Sequence, residues 1–125
     1  MRDVISTDDG PRAIGPYSQA IRANGFVFVS GQVAIDPGTQ RVIDGDVAIQ
    51  TDRVLKNLSA ILQAAGSGLE KVVRSTVFLK NMGDFTAMNG VYGRYFSAMP
   101  PARSTVEVAR LPKDVLVEID VIALA

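Results

Sequence analysis

The spacing of apolar and polar positions changes along the chain and divides it into elements. Residues 18–23 and 26–33 flank an Asn-Gly pair at 24–25, and the second of these segments is mostly apolar. Asn-Gly readily adopts the positive φ angles of a type I′ turn, so this segment predicts a β-hairpin. A further turn is predicted at the Asp-Pro-Gly sequence of residues 36–38.

Two segments have the three- and four-residue spacing of amphipathic helices. In the first, apolar and small side chains recur from Asp46, a good N-cap residue, to Gly66, a good C-terminal cap. The second helix is predicted to begin at Asp84. Two internal glycines weaken it, and the Pro-Pro pair at 100–101 ends it.

Three more segments predict strands: residues 72–79, 102–108 and 115–125, the last two joined by a turn around residues 111–114. A mostly antiparallel or mixed sheet with two helices on one face, in a single domain spanning 1–125, is an α+β fold. Residues 26–29 and 115–117 are nevertheless apolar on both sides of the pleat, whereas a strand with one wet face alternates. Because two helices cover only one face, we expect another subunit to cover the other.

Composition excludes several kinds of chemistry. The 125 residues contain 13 basic and 13 acidic side chains, so net charge provides no attraction for nucleic acid. Histidine and cysteine are both absent, which excludes a Ser-His-Asp triad, a thiolate nucleophile and most transition-metal sites. The N-terminus has no apolar signal region and no stretch matches a membrane span, so the sequence leads us to expect a soluble, cytoplasmic protein.

The C-terminal strands contain the most informative polar residues. Alternation places Arg103, Thr105 and Glu107 on one face, while Glu118 and Asp120 interrupt an apolar strand. If these strands pair through the turn at 111–114, Arg103 and Glu118 lie close together. One interpretation is a structural ion pair. The other is a guanidinium that holds a carboxylate beside a carboxyl group that carries protons.

Other polar segments have structural explanations when each is taken alone. Gly15-Pro16-Tyr17 is typical of a turn with an aromatic side chain, and Ser30-Gly31 of a strand end where backbone approaches another group. Asn89 lies among the apolar positions of the second helix, where an asparagine is usually exposed. Lys113 is interpreted as a turn residue.

Taken together, these segments resemble the Rid (YjgF) family, and within it the RidA subgroup. The similar stretches cover essentially the whole chain in content, order and spacing. They are GPYSQA (15–20), VFVSGQ (27–32), MNGVY (88–92), PPARSTVEVARLP (100–112) and VEIDVIA (117–123).

The resemblance implies a chorismate-mutase-like fold, assembled as a homotrimer with a ligand cleft at each subunit interface. It also implies hydrolysis of reactive enamines and imines to 2-keto acids and ammonia, without a cofactor or a metal. The expected substrates are 2-aminoacrylate, its tautomer 2-iminopropanoate, and 2-iminobutanoate, intermediates that leak from pyridoxal-phosphate dehydratases and damage other enzymes.

The same resemblance implies roles for individual side chains. Arg103 would hold the substrate carboxylate, Glu118 would position water or move protons, and Tyr17 would close the cleft.

Further polar contacts to the substrate would come from four positions: Ser30, Gly31, Asn89 and the backbone of Thr105. Thr105 departs from the pattern, because many relatives carry cysteine there, and it excludes a thiol role in this chain.

Two alternative functions differ in class. One is a non-catalytic trimer of the same fold that binds a small molecule; the presence of both Arg103 and Glu118 argues against it by analogy. The other is RNA cleavage that inhibits translation. It ranks last because the chain lacks histidine for acid–base cleavage and net positive charge for binding.

Overall fold

The Asn-Gly turn forms the predicted hairpin. In the computed structural model, which describes residues 1–125, Asn24 has a φ of 54° and Gly25 a φ of 83°. They join β2 (Ala20–Ala23) to β3 (Phe26–Gln32), which pair antiparallel. The hairpin prediction is confirmed.

Both predicted helices are present. Helix α1 (Val47–Ala64) begins after Asp46, whose side chain accepts a hydrogen bond of 3.0 Å from the Ile49 amide, and Gly66 follows with a φ of 79°. Helix α2 (Phe85–Tyr95) follows Asp84 and buries one apolar side against the core.

The remaining strands of the main sheet are β1 (Arg2–Ile5), β6 (Val72–Leu79), β7 (Ala102–Glu107) and β8 (Val117–Leu124). With β2 and β3 they form a six-stranded mixed sheet in the order β1-β2-β3-β8-β6-β7. Only β6 and β7 pair in parallel; all the other neighbours are antiparallel. The α+β prediction is therefore confirmed. Two further strands, β4 (Ile35–Asp36) and β5 (Arg41–Val42), form a separate ribbon around the predicted turn at 36–38.

The predicted pairing of the last two strands is wrong. Strand β6 lies between β7 and β8, with Ser75 opposite Arg103 on one side and Phe78 opposite Glu118 on the other. Residues 108–116 contain only a short 3₁₀ turn at Pro112–Asp114. A connection of this length is too long to enforce a tight hairpin, so β8 enters the centre of the sheet instead of pairing with its predecessor.

The helices cover one face of the sheet, as predicted, which we call the helix face. Alternate strand residues pack against the helices in one core and are nearly inaccessible: Val27, Val29, Val77, Leu79, Val117, Ile119 and Val121. The intervening positions form the open face, which carries exposed apolar side chains: Val4, Phe26, Phe28, Val106 and Leu124. Neither helix has the length and apolar composition that crossing a bilayer requires.

The Asp46 cap gives a first testable prediction. Asp46→Ala removes the acceptor for the Ile49 amide, so the free energy of unfolding should fall by about 1 kcal/mol in urea denaturation. Asp44→Ala removes an exposed carboxylate two residues earlier and serves as the control. Equal losses in the two variants would show that charge, rather than capping, is responsible.

Candidate functional site

A cavity of about 500 Å³ lies beside Glu118. Its walls come from the loop before β2, the end of β3, the segment after it and the turn before β8. The lining residues are Pro11, Arg12, Ile14, Tyr17, Ser30, Gly31, Gln32, Val33, Ile35, Pro112, Lys113 and Glu118.

A β-bulge shapes the β3 wall of this cavity. Val29 lies opposite Val121 and Gln32 opposite Ile119, so two residues of β3 correspond to one of β8. Bulges redirect the strand and its side chains, and they are frequent next to active sites. The loop before β2 holds the bulge in place, since the Ser30 amide donates to the Gln19 carbonyl at 2.9 Å. The Ser30 hydroxyl also donates to a backbone carbonyl, that of Ser18, at 2.6 Å.

Gly31 allows the Glu118 carboxyl group to lie against the backbone. A Cβ atom at position 31 would stand 2.1 Å from Oε2 of Glu118, closer than any non-bonded contact permits. The absence of a side chain is therefore a steric requirement of the present position of Glu118. The sequence indicated only that backbone approaches another group at the Ser-Gly strand end, and the structure identifies that group as Glu118.

The surroundings of Glu118 favour its protonated form. Burial raises the pKa of this half-buried carboxyl group, and the nearby Asp120 carboxylate raises it further. Burial likewise raises the pKa of Asp120, against the opposing effects of Thr76 and Arg74. A carboxyl group that keeps its proton to higher pH can donate it to a basic nitrogen and take it back.

Tyr17 stands at the cavity wall with about half of its surface exposed (49%). Its hydroxyl oxygen accepts a hydrogen bond of 3.1 Å from the Ile14 amide. The turn depends on Gly15, whose φ is 114° and whose carbonyl accepts from the Tyr17 amide. Because the oxygen is used as an acceptor, the hydroxyl hydrogen remains available to donate towards a ligand.

Arg103 lies in a different place, on the helix face against α2. Its Nη1 atom donates to Oδ1 of Asn89 at 2.7 Å, and its Cζ atom lies 4.7 Å from the ring centre of Tyr92 and 5.6 Å from that of Phe85. The Tyr92 hydroxyl in turn shares a buried hydrogen bond of 2.6 Å with Ser75 on β6. Asn89 is thus half-buried and engaged, which corrects the interpretation of it as an ordinary exposed residue.

The guanidinium of Arg103 is fixed in position without being neutralised. The chain has three ion pairs, and none of them includes Arg103. A second cavity of about 480 Å³ opens beside it, lined by Asn89, Tyr92, Gly93, Phe96, Pro100, Pro101 and Arg103. Cation–π contacts and one neutral hydrogen-bond acceptor orient the guanidinium group and leave its charge free for an anion.

The structure therefore divides the predicted site residues into two groups. Tyr17, Ser30 and Gly31 join Glu118 at the first cavity, whereas Asn89 joins Arg103 at the second. The expected closeness of Arg103 and Glu118 within one chain is wrong, because Arg103 is on the helix face, Glu118 is on the open face, and β6 separates their strands.

Thr105 belongs to neither cavity lining. It follows Arg103 on the same face of β7, and its hydroxyl oxygen is buried without a hydrogen-bond partner. An orphaned hydroxyl is unfavourable in a protein interior.

Sequence reasoning missed the cations of the first cavity, Arg12 and Lys113. Lys113 does lie in a turn, as predicted, but its φ of 57° and the φ of 55° at Asp114 are left-handed. Such a conformation costs a side-chain-bearing residue about 1–2 kcal/mol. The sequence feature that could have indicated Lys113 is the Pro-Lys-Asp turn, because this turn stands shortly before Glu118 along the chain.

Comparisons with known proteins cover the same residues. A family model described as endoribonuclease L-PSP matches residues 7–125. A RutC family protein of Synechocystis is 58% identical over 97% of this chain and 95% of its own length. Reactive Intermediate Deaminase A of Arabidopsis thaliana is 45% identical over 98% of this chain and 65% of its own. The crystal structure of E. coli TdcF with bound serine is 41% identical, covers 98% of both chains and superposes with a TM-score of 0.94.

The raised pKa of Glu118 predicts a pH-dependent cost in stability. A folded state with the higher carboxyl pKa binds the proton more tightly, so stability is lost as pH rises through the folded pKa. Glu118→Gln removes this loss. The thermal midpoint of the variant, measured relative to that of the wild type, should therefore increase as pH rises from about 4 towards about 7.

Glu70→Gln removes a carboxylate from an exposed position and controls for the change in net charge. A Glu118→Gln difference that stays constant over the pH range would contradict the assignment.

Proposed function

Because the chain belongs to the Rid (YjgF) family, we propose that it hydrolyses reactive enamines and imines of 2-amino acids to 2-keto acids and ammonia. The proposed substrates are 2-iminopropanoate, its tautomer 2-aminoacrylate, and 2-iminobutanoate. Two relatives support this: one is named Reactive Intermediate Deaminase A, and the other holds serine, a ligand with a carboxylate beside an amine. We place this activity in the cytoplasm, as control of metabolite damage.

The observation that carries the proposal is the pair of incomplete half-sites. One cavity holds a protonatable carboxyl group and a hydroxyl donor, and the other holds a fixed guanidinium without a counter-ion. Each alone lacks what the other supplies. Hydrolysis of an imino acid needs both: a group for the carboxylate and a group for the proton.

A homotrimer would unite the two halves. The half-sites occupy different surfaces of the chain. If the first cavity of one chain meets the second cavity of the next, the contact is heterologous, and it forms a ring where the rotation between subunits closes. A ring of three subunits places Arg103 of each chain against Glu118 of the next. The exposed apolar side chains of the open face, among them Phe28 and Leu124, fit burial in the same assembly.

In the proposed site, Arg103 holds the substrate carboxylate. Nη1 is already bonded to Asn89, which leaves the other guanidinium donors for the two carboxylate oxygens. Ser30, Gly31, Asn89 and the backbone of Thr105 add polar contacts. This grip fixes which face of the imine meets water and places the imine nitrogen near the Glu118 carboxyl group.

Glu118 then moves the protons. Its carboxyl group donates to the imine nitrogen, which makes the carbon more electrophilic, and the resulting carboxylate accepts a proton from the attacking water. The carbinolamine nitrogen takes that proton back from Glu118, and the C–N bond breaks with its electron pair leaving on nitrogen. As the carbonyl forms and ammonia departs, the carbinolamine hydroxyl gives its proton to the Glu118 carboxylate, which restores the carboxyl group. Tyr17 closes the cleft, and its hydroxyl group donates a hydrogen bond to the bound ligand. No step requires a metal, a cofactor or a nucleophilic side chain.

Activity and the shared site are tested together. A dehydratase generates 2-iminobutanoate in situ, and release of 2-oxobutanoate is followed with and without the protein. Wild type should accelerate release over spontaneous hydrolysis, and both Arg103→Ala and Glu118→Gln should abolish the acceleration. Arg103→Lys keeps the charge without the fork and should recover only part of it.

Co-expressing Arg103→Ala with Glu118→Gln separates a shared site from one within a chain. In a randomly mixed ring of three, each mixed trimer keeps one intact site, so about a quarter of wild-type activity should return. No recovery in mixed trimers of confirmed composition would contradict a site shared between chains. Unchanged rates with wild-type protein would favour a non-catalytic binding module, and cleavage of an RNA substrate by the same preparation would favour the nuclease that the family description names.

A further inference from the structure

Two cations in the Glu118 cavity have no part in the proposed hydrolysis. Arg12 and Lys113 both line its wall, and both side chains are exposed. Neither takes part in any of the three ion pairs of the chain, and neither side chain makes a hydrogen bond within it. The cavity wall therefore includes two basic residues whose side chains have no ion-pair or hydrogen-bond partner in the chain.

The turn that carries Lys113 holds it there under backbone strain. Lys113 and Asp114 are both left-handed, although neither is glycine. Asp114 is fixed by Arg110, whose Nε and Nη2 atoms donate to its carboxylate at 2.7 and 3.2 Å. Pro112, also on the cavity wall, restricts the residue before it. Strain of this kind is concentrated at ligand sites, where surrounding contacts maintain it.

The proposed reaction determines which part of a substrate faces these cations. Its carboxylate is held by Arg103 of a neighbouring chain and its imine nitrogen lies at Glu118, so its side chain extends into the remainder of the cavity. A volume of about 500 Å³ lies within the range of roughly 300–1,000 Å³ that encloses drug-sized ligands, so it holds more than a two-carbon side chain. The basic residues that line this cavity are Arg12 and Lys113.

We propose that Lys113, together with Arg12, binds a second anionic group, so that the protein also accepts 2-imino acids whose side chain ends in a carboxylate. This inference rests on the proposed function, because it uses the same orientation of substrate. It makes Lys113 and Arg12 determinants of specificity rather than catalytic residues.

The test compares two substrates in each variant. L-aspartate oxidase supplies 2-iminosuccinate from L-aspartate, and a dehydratase supplies 2-iminobutanoate. In Lys113→Asn, the ratio of kcat/KM for 2-iminosuccinate to that for 2-iminobutanoate should fall by about tenfold or more, through KM. Asparagine keeps the left-handed conformation accessible while removing the charge.

Arg12→Gln should lower the same ratio, Lys113→Arg should retain most of it, and Lys71→Asn, which removes an exposed lysine elsewhere, should leave it unchanged. Calorimetry with the unreactive ketoacids should show that 2-oxoglutarate binds more tightly than 2-oxobutanoate, with the preference lost in Lys113→Asn.

Hydrolysis of 2-iminobutanoate without acceleration for 2-iminosuccinate would overturn this inference and leave the proposed function standing. A ratio that Lys113→Asn does not change would also overturn it. If the protein accelerates hydrolysis of neither substrate, both the proposed function and this inference are contradicted.

Discussion

Side chains alternate between the two faces of a pleated sheet, and in this chain the alternation keeps apart the two groups on which the proposed chemistry depends. Arg103 is opposite Ser75 on the helix face, and Glu118 is opposite Phe78 on the open face. A shift of register by one residue would move either group to the other face and expose the core. The hydrophobic packing that stabilises the sheet therefore also fixes the separation of the two half-sites.

Each half-site is held by a different kind of interaction. Around Arg103, aromatic rings and an amide oxygen orient a charge without cancelling it. Around Glu118, a bulge and a glycine bring a carboxyl group against backbone, where burial and Asp120 oppose its ionisation. Both arrangements leave an unsatisfied charge or an unfavourable ionisation in the isolated chain. Proteins commonly accept such costs at functional sites while the rest of the core supplies the stability.

Local signals predicted much of this fold. The Asn-Gly turn, the Asp46 cap and the periodicity of α1 act within a few residues, so the sequence identifies them directly. Strand β1 was missed because four residues provide too little alternation. The partner of β7 was also mispredicted, since strand pairing depends on packing between distant segments.

The site residues show the same contrast between features that local sequence indicates and features that depend on contacts between distant segments. Sequence motifs indicated Tyr17, Glu118 and Arg103. Only the fold shows that Asn89 accepts a hydrogen bond from Arg103 and that Lys113 lines the cavity of Glu118. Periodicity alone could place Thr105 on a face of β7. It could not show that the hydroxyl would be left without a partner.

The position of β8 has a consequence for how the molecule is made. The strand nearest the C-terminus lies in the middle of the sheet, between β3 and β6, and provides the antiparallel partner of both. Before it is inserted, β1 to β3 and the β6–β7 pair are separate pieces without a common centre. Closure requires contacts between residues far apart in the chain, which slows folding. The carboxyl-bearing cavity, whose Glu118 lies on β8, is therefore complete only after this strand has been inserted between β3 and β6.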